Sequence, residues 1–254
     1  MMNKLEQAIR KTTGDGSLYS YDGERTSFIE EIEKMKVSHL MTKEELNKHK
    51  IIYPELKNSA LVNSFREFRT SLTAISSRNV VMVTSIGDRS GVSFFARNLA
   101  ASIAFDMAKT AMIVDCNGRK GCVHEVFSIG YKPGISDFIS TKDIQVEDVI
   151  HESGVKRLRV LPFGQSGNDG DEIFSHPRFH SLMTQIKHQY SDRHIIIDAP
   201  PILKSADARI LMDVCDQVVL VVPYGRDSSQ DIQAAARVIG NQKFSGAIFN
   251  EFLN

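Results

Sequence analysis

Three short stretches of this chain carry residue types that could do chemistry on phosphate. The first is Thr84-Ser85-Ile86-Gly87-Asp88-Arg89-Ser90-Gly91-Val92-Ser93. A phosphate cradle of the pattern GxxxxGK[ST] needs glycines for close backbone approach, a lysine for charge, and a Ser/Thr hydroxyl for magnesium. Gly91 and Ser93 stand in place, but Ile86 takes the first glycine's position and Val92 takes the lysine's. Read alone, the loop is equally an ordinary strand–helix connection. The other two stretches are Ile113-Val114-Asp115-Cys116-Asn117 and Ile195-Ile196-Ile197-Asp198-Ala199-Pro200-Pro201. A carboxylate at a strand end beside a phosphate loop orients magnesium or its water shell. Each Asp alone is an ordinary turn former; the loop followed by both is a far more specific set.

Other candidates are weaker. Cys116, Cys122 and His124 lie close together, but their C-x5-C-x-H spacing matches no zinc pattern, so buried thiols and a surface imidazole are the preferred reading. His176 and His180 sit four apart on an expected helix face, where two histidines are more often surface residues than a metal site. Tyr19 and Tyr21 lie near the N-terminus, where a tyrosine is open to phosphorylation in trans. Asp88 adds negative charge to the loop, and Arg89 is the nearby cation, read as a solvated loop residue.

The elements that must hold these residues follow from the apolar pattern. Short all-apolar runs predict strands at Asn79–Thr84, Ala111–Val114, Leu158–Leu161, His194–Ile197, Gln217–Val222 and Gly246–Phe249. Between them, periodic segments predict helices at Gly91–Met107, His176–Tyr190, Ala206–Asp213 and Ser228–Ile239; Val62, Phe65, Phe68 and Leu72 mark one face of an earlier helix. Buried strands alternating with helices mean an α/β fold, a doubly wound, mostly parallel sheet with helices on both faces. Ligands of such sheets bind beyond the carboxyl ends of the strands, where Asp115 and Asp198 stand. Residues 1–60 read as an N-terminal extension with short helices, partly mobile, and residues 61–254 as the folded domain.

Composition narrows the functions. The 254 residues carry 31 basic and 31 acidic side chains, and the balance holds on both sides of residue 60. A protein held to nucleic acid through phosphates shows a basic excess or patch, which argues against a nucleic-acid partner. Three cysteines at no disulfide-like spacing fit a reducing compartment. The N-terminus has no apolar signal segment, and the longest clean apolar run, Val218–Pro223, is far too short to cross a membrane. The expectation is a cytoplasmic protein, without direct membrane insertion, reaching the inner face of the membrane through a partner.

Taken in order, these stretches resemble the bacterial tyrosine autokinases of capsule and exopolysaccharide synthesis, in the deviant Walker-A P-loop ATPase group that also holds the partitioning ATPases. The resemblance runs over residues 61–254. It is carried by Ser64-Phe65-Arg66-Glu67-Phe68-Arg69-Thr70, Val83-Thr84-Ser85, Ala96-Arg97-Asn98-Leu99-Ala100 and Ile113-Val114-Asp115. Further on it is carried by Pro133-Gly134-Ile135-Ser136-Asp137, Val160-Leu161-Pro162-Phe163-Gly164, Arg178-Phe179, Ile195 to Pro201, and Gly246-Ala247-Ile248-Phe249-Asn250. It implies ATP or ADP with magnesium as ligand. Gly91, Ser93 and Asn250 would hold the nucleotide, with Asn250 bordering the base. Ser93, Asp115 and Asp198 would hold the metal, and Arg66 and Arg69 an interface. The implied partner is a transmembrane polysaccharide co-polymerase of the chain-length-determinant type, or a second copy.

The departures from that family are equally specific. Its phosphate lysine is Val92, and its second Walker-A′ carboxylate is Asn117. Its interface motif Glu-x-x-Arg-x-x-Arg reads Asn63-x-x-Arg66-x-x-Arg69. Its C-terminal tyrosine cluster has no counterpart, since Tyr224 is the last tyrosine. A charged hydrogen bond contributes about 1.5–3 kcal/mol, so losing the lysine weakens phosphate binding roughly tenfold to a hundredfold. Lysine also stabilises charge developing during transfer, and Asn117 accepts a hydrogen bond without supplying charge. The expected protein is a degenerate, kinase-like regulator or scaffold that holds nucleotide weakly. Asp115 and Asp198 are then vestigial; the alternative is an active autokinase or ATPase of the same pathway.

Overall fold

The structure is a computed structural model and describes residues 37–73, 79–117, 123–127, 130, 132–165, 172–189 and 193–250. Its centre is a seven-stranded sheet. The strands are β1 (Val80–Ser85), β2 (Thr110–Asp115), β3 (His151–Glu152), β4 (Leu158–Leu161), β5 (Arg193–Asp198), β6 (Gln217–Pro223) and β7 (Phe244–Asn250). Their spatial order is β3-β4-β2-β5-β1-β6-β7. All neighbours run parallel except β3, which pairs antiparallel with β4.

The all-apolar strands are explained by burial on both faces. Met82, Met112, Ile195, Ile197 and Leu220 face one apolar cluster, while Val81, Val83, Ile113, Ile196 and Val219 face the other. Helices α6 (Pro177–Gln189), α7 (Ala206–Leu211) and α8 (Ser229–Ile239) cover the first face with Phe179, Leu182, Ile186, Leu211 and Ile239. Helices α2 (Ser59–Leu72) and α3 (Val92–Ala104) cover the second with Phe65, Leu72, Phe95 and Leu99, and the short α4 (Val123–Val126) adds Val123 and Val126. The doubly wound α/β arrangement expected from the sequence is the one present.

The N-terminal limit of the packed body differs from expectation. The compact unit begins at Val37 rather than at residue 61. A short helix α1 (Lys43–Lys48) starts with a capping box in which Thr42 and Glu45 satisfy each other's backbone. Ile51 and Ile52, each 1% exposed, then enter the core beside α3. Asn98 fixes them: its Oδ1 accepts from Ile52 N at 2.8 Å and its Nδ2 donates to Lys50 O at 3.0 Å. Two isoleucines inside a charged stretch gave too little period to announce this. Residues 1–36, with Tyr19 and Tyr21, lie outside the described residues.

Other differences are local. Helix α3 stops at Ala104, three residues short of Met107, and side chains from elsewhere cap the carbonyls its end leaves open. Arg69 Nη1 donates to Ser102 O at 2.6 Å and Arg157 Nε to Ala104 O at 2.9 Å. Helix α6 begins at Pro177, which suits a first helical position because it has no N–H to leave unpaired. Strand β7 begins at Phe244, two residues earlier than predicted, with an irregularity opposite Val218 and Val219.

Candidate functional site

The carboxyl ends of β1, β2 and β5 meet at one edge of the sheet, and Asp115 and Asp198 are direct register partners there. Above them the loop 86–91 turns from β1 into α3. It needs two left-handed residues, Arg89 at φ 57° and Gly91 at φ 86°. Gly91 has a second reason to lack a side chain: a Cβ there would overlap Asn250 Nδ2. That amide donates to Ser90 O at 3.1 Å, while Ser85 Oγ and Ser90 Oγ both donate to Gly87 O, at 2.7 and 2.8 Å. The loop therefore keeps a fixed turn over the start of a thirteen-residue helix, whose unpaired N–H groups favour an anion. It opens on a cavity of about 300 Å³ lined by Gly87, Asp88, Ser93, Asn117 and Pro201 among others.

Val92 is 7% exposed and belongs to the apolar cluster that also holds Phe95 and Ala96. Among the described residues, cations reach the loop from outside it. Lys204 Nζ lies 3.5 Å from Asp88 Oδ2, and Arg226 Nη2 donates to Arg89 O at 2.6 Å. Sequence reasoning missed both, since they stand 116 and 137 residues away from their partners.

Asp198 of this pair is strongly perturbed. Burial, and then repulsion from Asp115, raise Asp198 to about 7, against the pull of hydrogen bonds from Ser93 and Asn117 and of the Arg97 charge. Asp198 Oδ1 is buried and accepts no hydrogen bond from the described residues. Asp115 is 1% exposed, and its Oδ1 accepts from Asn117 N at 3.0 Å. Two carboxylates beside the Ser93 hydroxyl form a hard oxygen set that fits magnesium. A divalent cation there would relieve the repulsion that raises Asp198. The thiol of Cys116, the residue after Asp115, is buried and pushed well up by that burial and then by both carboxylates, which disfavours the thiolate.

The remaining candidates separate. Asn250, expected beside the base, has its amide on Ser90 O. Arg66 is exposed in a shallow depression of about 570 Å³ with Asn63, Glu67, Thr70 and Ser71, whereas Arg69 is half-buried and bound to Ser102 O. The two arginines thus do not form one outward face. His176 Nδ1 accepts from Arg178 N at 3.1 Å, a helix-start contact. Among the described residues no group of three or more His, Cys, Asp or Glu could hold a metal; Cys122 and the His124 side chain lie outside them. No helix among the described residues is long and apolar enough to cross a membrane.

No family model matches this chain. It is 31% identical over 194 residues to EpsB of Ralstonia nicotianae, named for a tyrosine-protein kinase, an alignment covering 74% of this chain and 25% of that protein. The chain belongs to the bacterial tyrosine autokinase family. It spans about a quarter of the length of that curated relative. The kinase domain of the Escherichia coli tyrosine kinase ETK superposes with a TM-score of 0.70 at 24% identity, covering 85% of this chain and 88% of that one. The chimerical protein CapA2B2 gives 0.71 at 22% identity, covering 91% and 100%. At those identities the structures speak for the fold alone, a mostly parallel α/β sheet.

Proposed function

We propose that this member of the tyrosine autokinase family works by binding rather than by phosphoryl transfer. It would be a regulatory or scaffold component in the synthesis and export of an exopolysaccharide or capsule. The observation that carries the reading is Val92, a buried aliphatic side chain where the family's phosphate lysine belongs. Transfer of a phosphoryl group depends on fixed positive charge at the oxygens that gain charge in the transition state, and the loop supplies none at that position. Asn117 removes a second charge from the same edge. The turn itself is intact, so ADP or ATP with magnesium on Ser93, Asp115 and Asp198 is retained as a weakly held ligand. When bound, magnesium would offset phosphate charge; the loop's own N–H groups and Ser93 would orient it.

The partner is a transmembrane polysaccharide co-polymerase or a second copy. The fold likeness to the CapA2B2 chimera supports a CapA-type partner, and Arg66 on the exposed face of α2 is the residue placed to meet its carboxylates. The second reading, an active autokinase or ATPase, is favoured by one observation: Ser93, Asp115 and Asp198 keep a metal-competent arrangement.

Genetic complementation separates the two. Deleting the gene reduces or mis-sizes the surface polysaccharide, and the double variant Asp115→Asn with Asp198→Asn restores it, since strand-end amides keep size and much of the hydrogen bonding. A stably expressed double variant that does not complement promotes the catalytic reading.

A further inference from the structure

Position 92 holds no charge, yet Lys204 reaches the same loop from the turn between β5 and α7. Its Nζ is 3.5 Å from Asp88 Oδ2 and 3.7 Å from where a Cβ on Gly87 would stand. Gly87 and Asp88 both line the cavity. Arg226 also touches the loop, but its short bond to Arg89 O commits it to holding the turn. Lys204 is held differently. Its side chain is 61% exposed and its carboxylate partner 48%, and such surface pairs contribute little. A phosphate, with more charge and more acceptor oxygens, outcompetes that carboxylate for the ammonium. A second observation points to a ligand beside the cavity: Asp198 Oδ1 is buried and unsatisfied, and Ser93, which bonds that carboxylate, lines the cavity, so the edge suits the cation that accompanies such a ligand.

We propose that Lys204 supplies the phosphate-facing charge that Val92 lacks, and that Asp88 holds its ammonium at the loop until the terminal phosphate of a magnesium-bound nucleoside di- or triphosphate displaces the carboxylate. This rests on the reading that the turn still cradles phosphate. Asp88 then acts as a competitor for Lys204, so removing its charge strengthens nucleotide binding while removing Lys204 weakens it. A purely surface ion pair moves neither.

The test is calorimetric titration of ADP·Mg and ATP·Mg into the full chain and into Lys204→Ala, Asp88→Asn, Val92→Lys and the double variant Lys204→Ala with Val92→Lys, each checked by its melting temperature. Lys204→Ala should weaken both nucleotides by about tenfold. Asp88→Asn should tighten them several-fold, and adding Val92→Lys should recover the affinity lost with Lys204. Wild-type affinity in Lys204→Ala overturns the proposal. If the unmodified chain binds neither nucleotide but Val92→Lys does, Lys204 supplies nothing while the cradle stands. If a folded Val92→Lys binds neither, the cradle reading fails as well.

Discussion

Two tight turns at the carboxyl edge of the sheet use the same residue types to opposite ends. In the turn before helix α5 (Ile135–Ser140), Asp137 Oδ2 accepts from Gly134 N at 2.9 Å and from Gln165 N at 3.1 Å. A Cβ on Gly134 would strike the backbone at Pro162, Phe163 and Gly164. Backbone donors of the turn and of the neighbouring strand end fill Asp137 Oδ2, and the turn is structural. In the loop before α3, Gly91 meets only the end of the Asn250 side chain, cations converge from other loops, and a buried carboxylate oxygen below is left for something else. Glycine and aspartate therefore mark a scaffold where the acceptors are filled and a site where they are not.

The two turns differ most at their glycines. Gly134→Ala must displace backbone and should cost about 3–5 kcal/mol, at the severe end for single substitutions. Gly91→Ala adds a strained φ and a clash with a movable amide, for about 1–3 kcal/mol. Asn250→Ala in the same chain should return part of that loss. Urea unfolding of the three variants checks the ranking; equal costs at the two glycines would erase the difference between the turns.

The arginines of α2 offer a smaller contrast of the same kind. Arg69→Ala removes a charged donor from the end of α3 and should cost about 1–2 kcal/mol, while Arg66→Ala should stay within about 0.5 kcal/mol. Loss of partner co-purification in Arg66→Ala, at unchanged melting temperature, would mark Arg66 as the contact. An Arg69→Ala variant as stable as the parent would remove its structural role.

Protonation of Asp198 gives the finest test. Its pKa is raised from an ordinary 3.8 to about 7, so the folded state holds a proton that the unfolded state releases. Stability should then be full below about pH 4 from this group and fall as pH rises toward 7. Asp198→Asn should flatten that decline and gain most in melting temperature above pH 7, and magnesium should narrow the gap in the parent protein. A decline unchanged in Asp198→Asn would mean that another group carries it.

Much of this was legible in the sequence where physics is local. Strands buried on both faces leave continuous apolar runs, and an Asp that ends such a run lands at the ligand-binding edge, as Asp115 and Asp198 do. What could not be read depends on contacts distant in sequence. Lys204 and Asp88, Arg226 and Arg89, and Asn98 and Ile52 leave no spacing signal. Two-residue β3 is too short for any period. Arg69, three residues from Arg66 on the same helix, looked like its partner until the end of α3 was seen to claim it.

A scaffold that acts by binding transfers no phosphate to tyrosine. The most direct test is incubation of the purified protein with ATP labelled at the γ-phosphate and magnesium, followed by measurement of phosphotyrosine per chain. The account predicts label no higher than in Asp198→Ala. Stoichiometric phosphotyrosine that disappears in Asp198→Ala would contradict it.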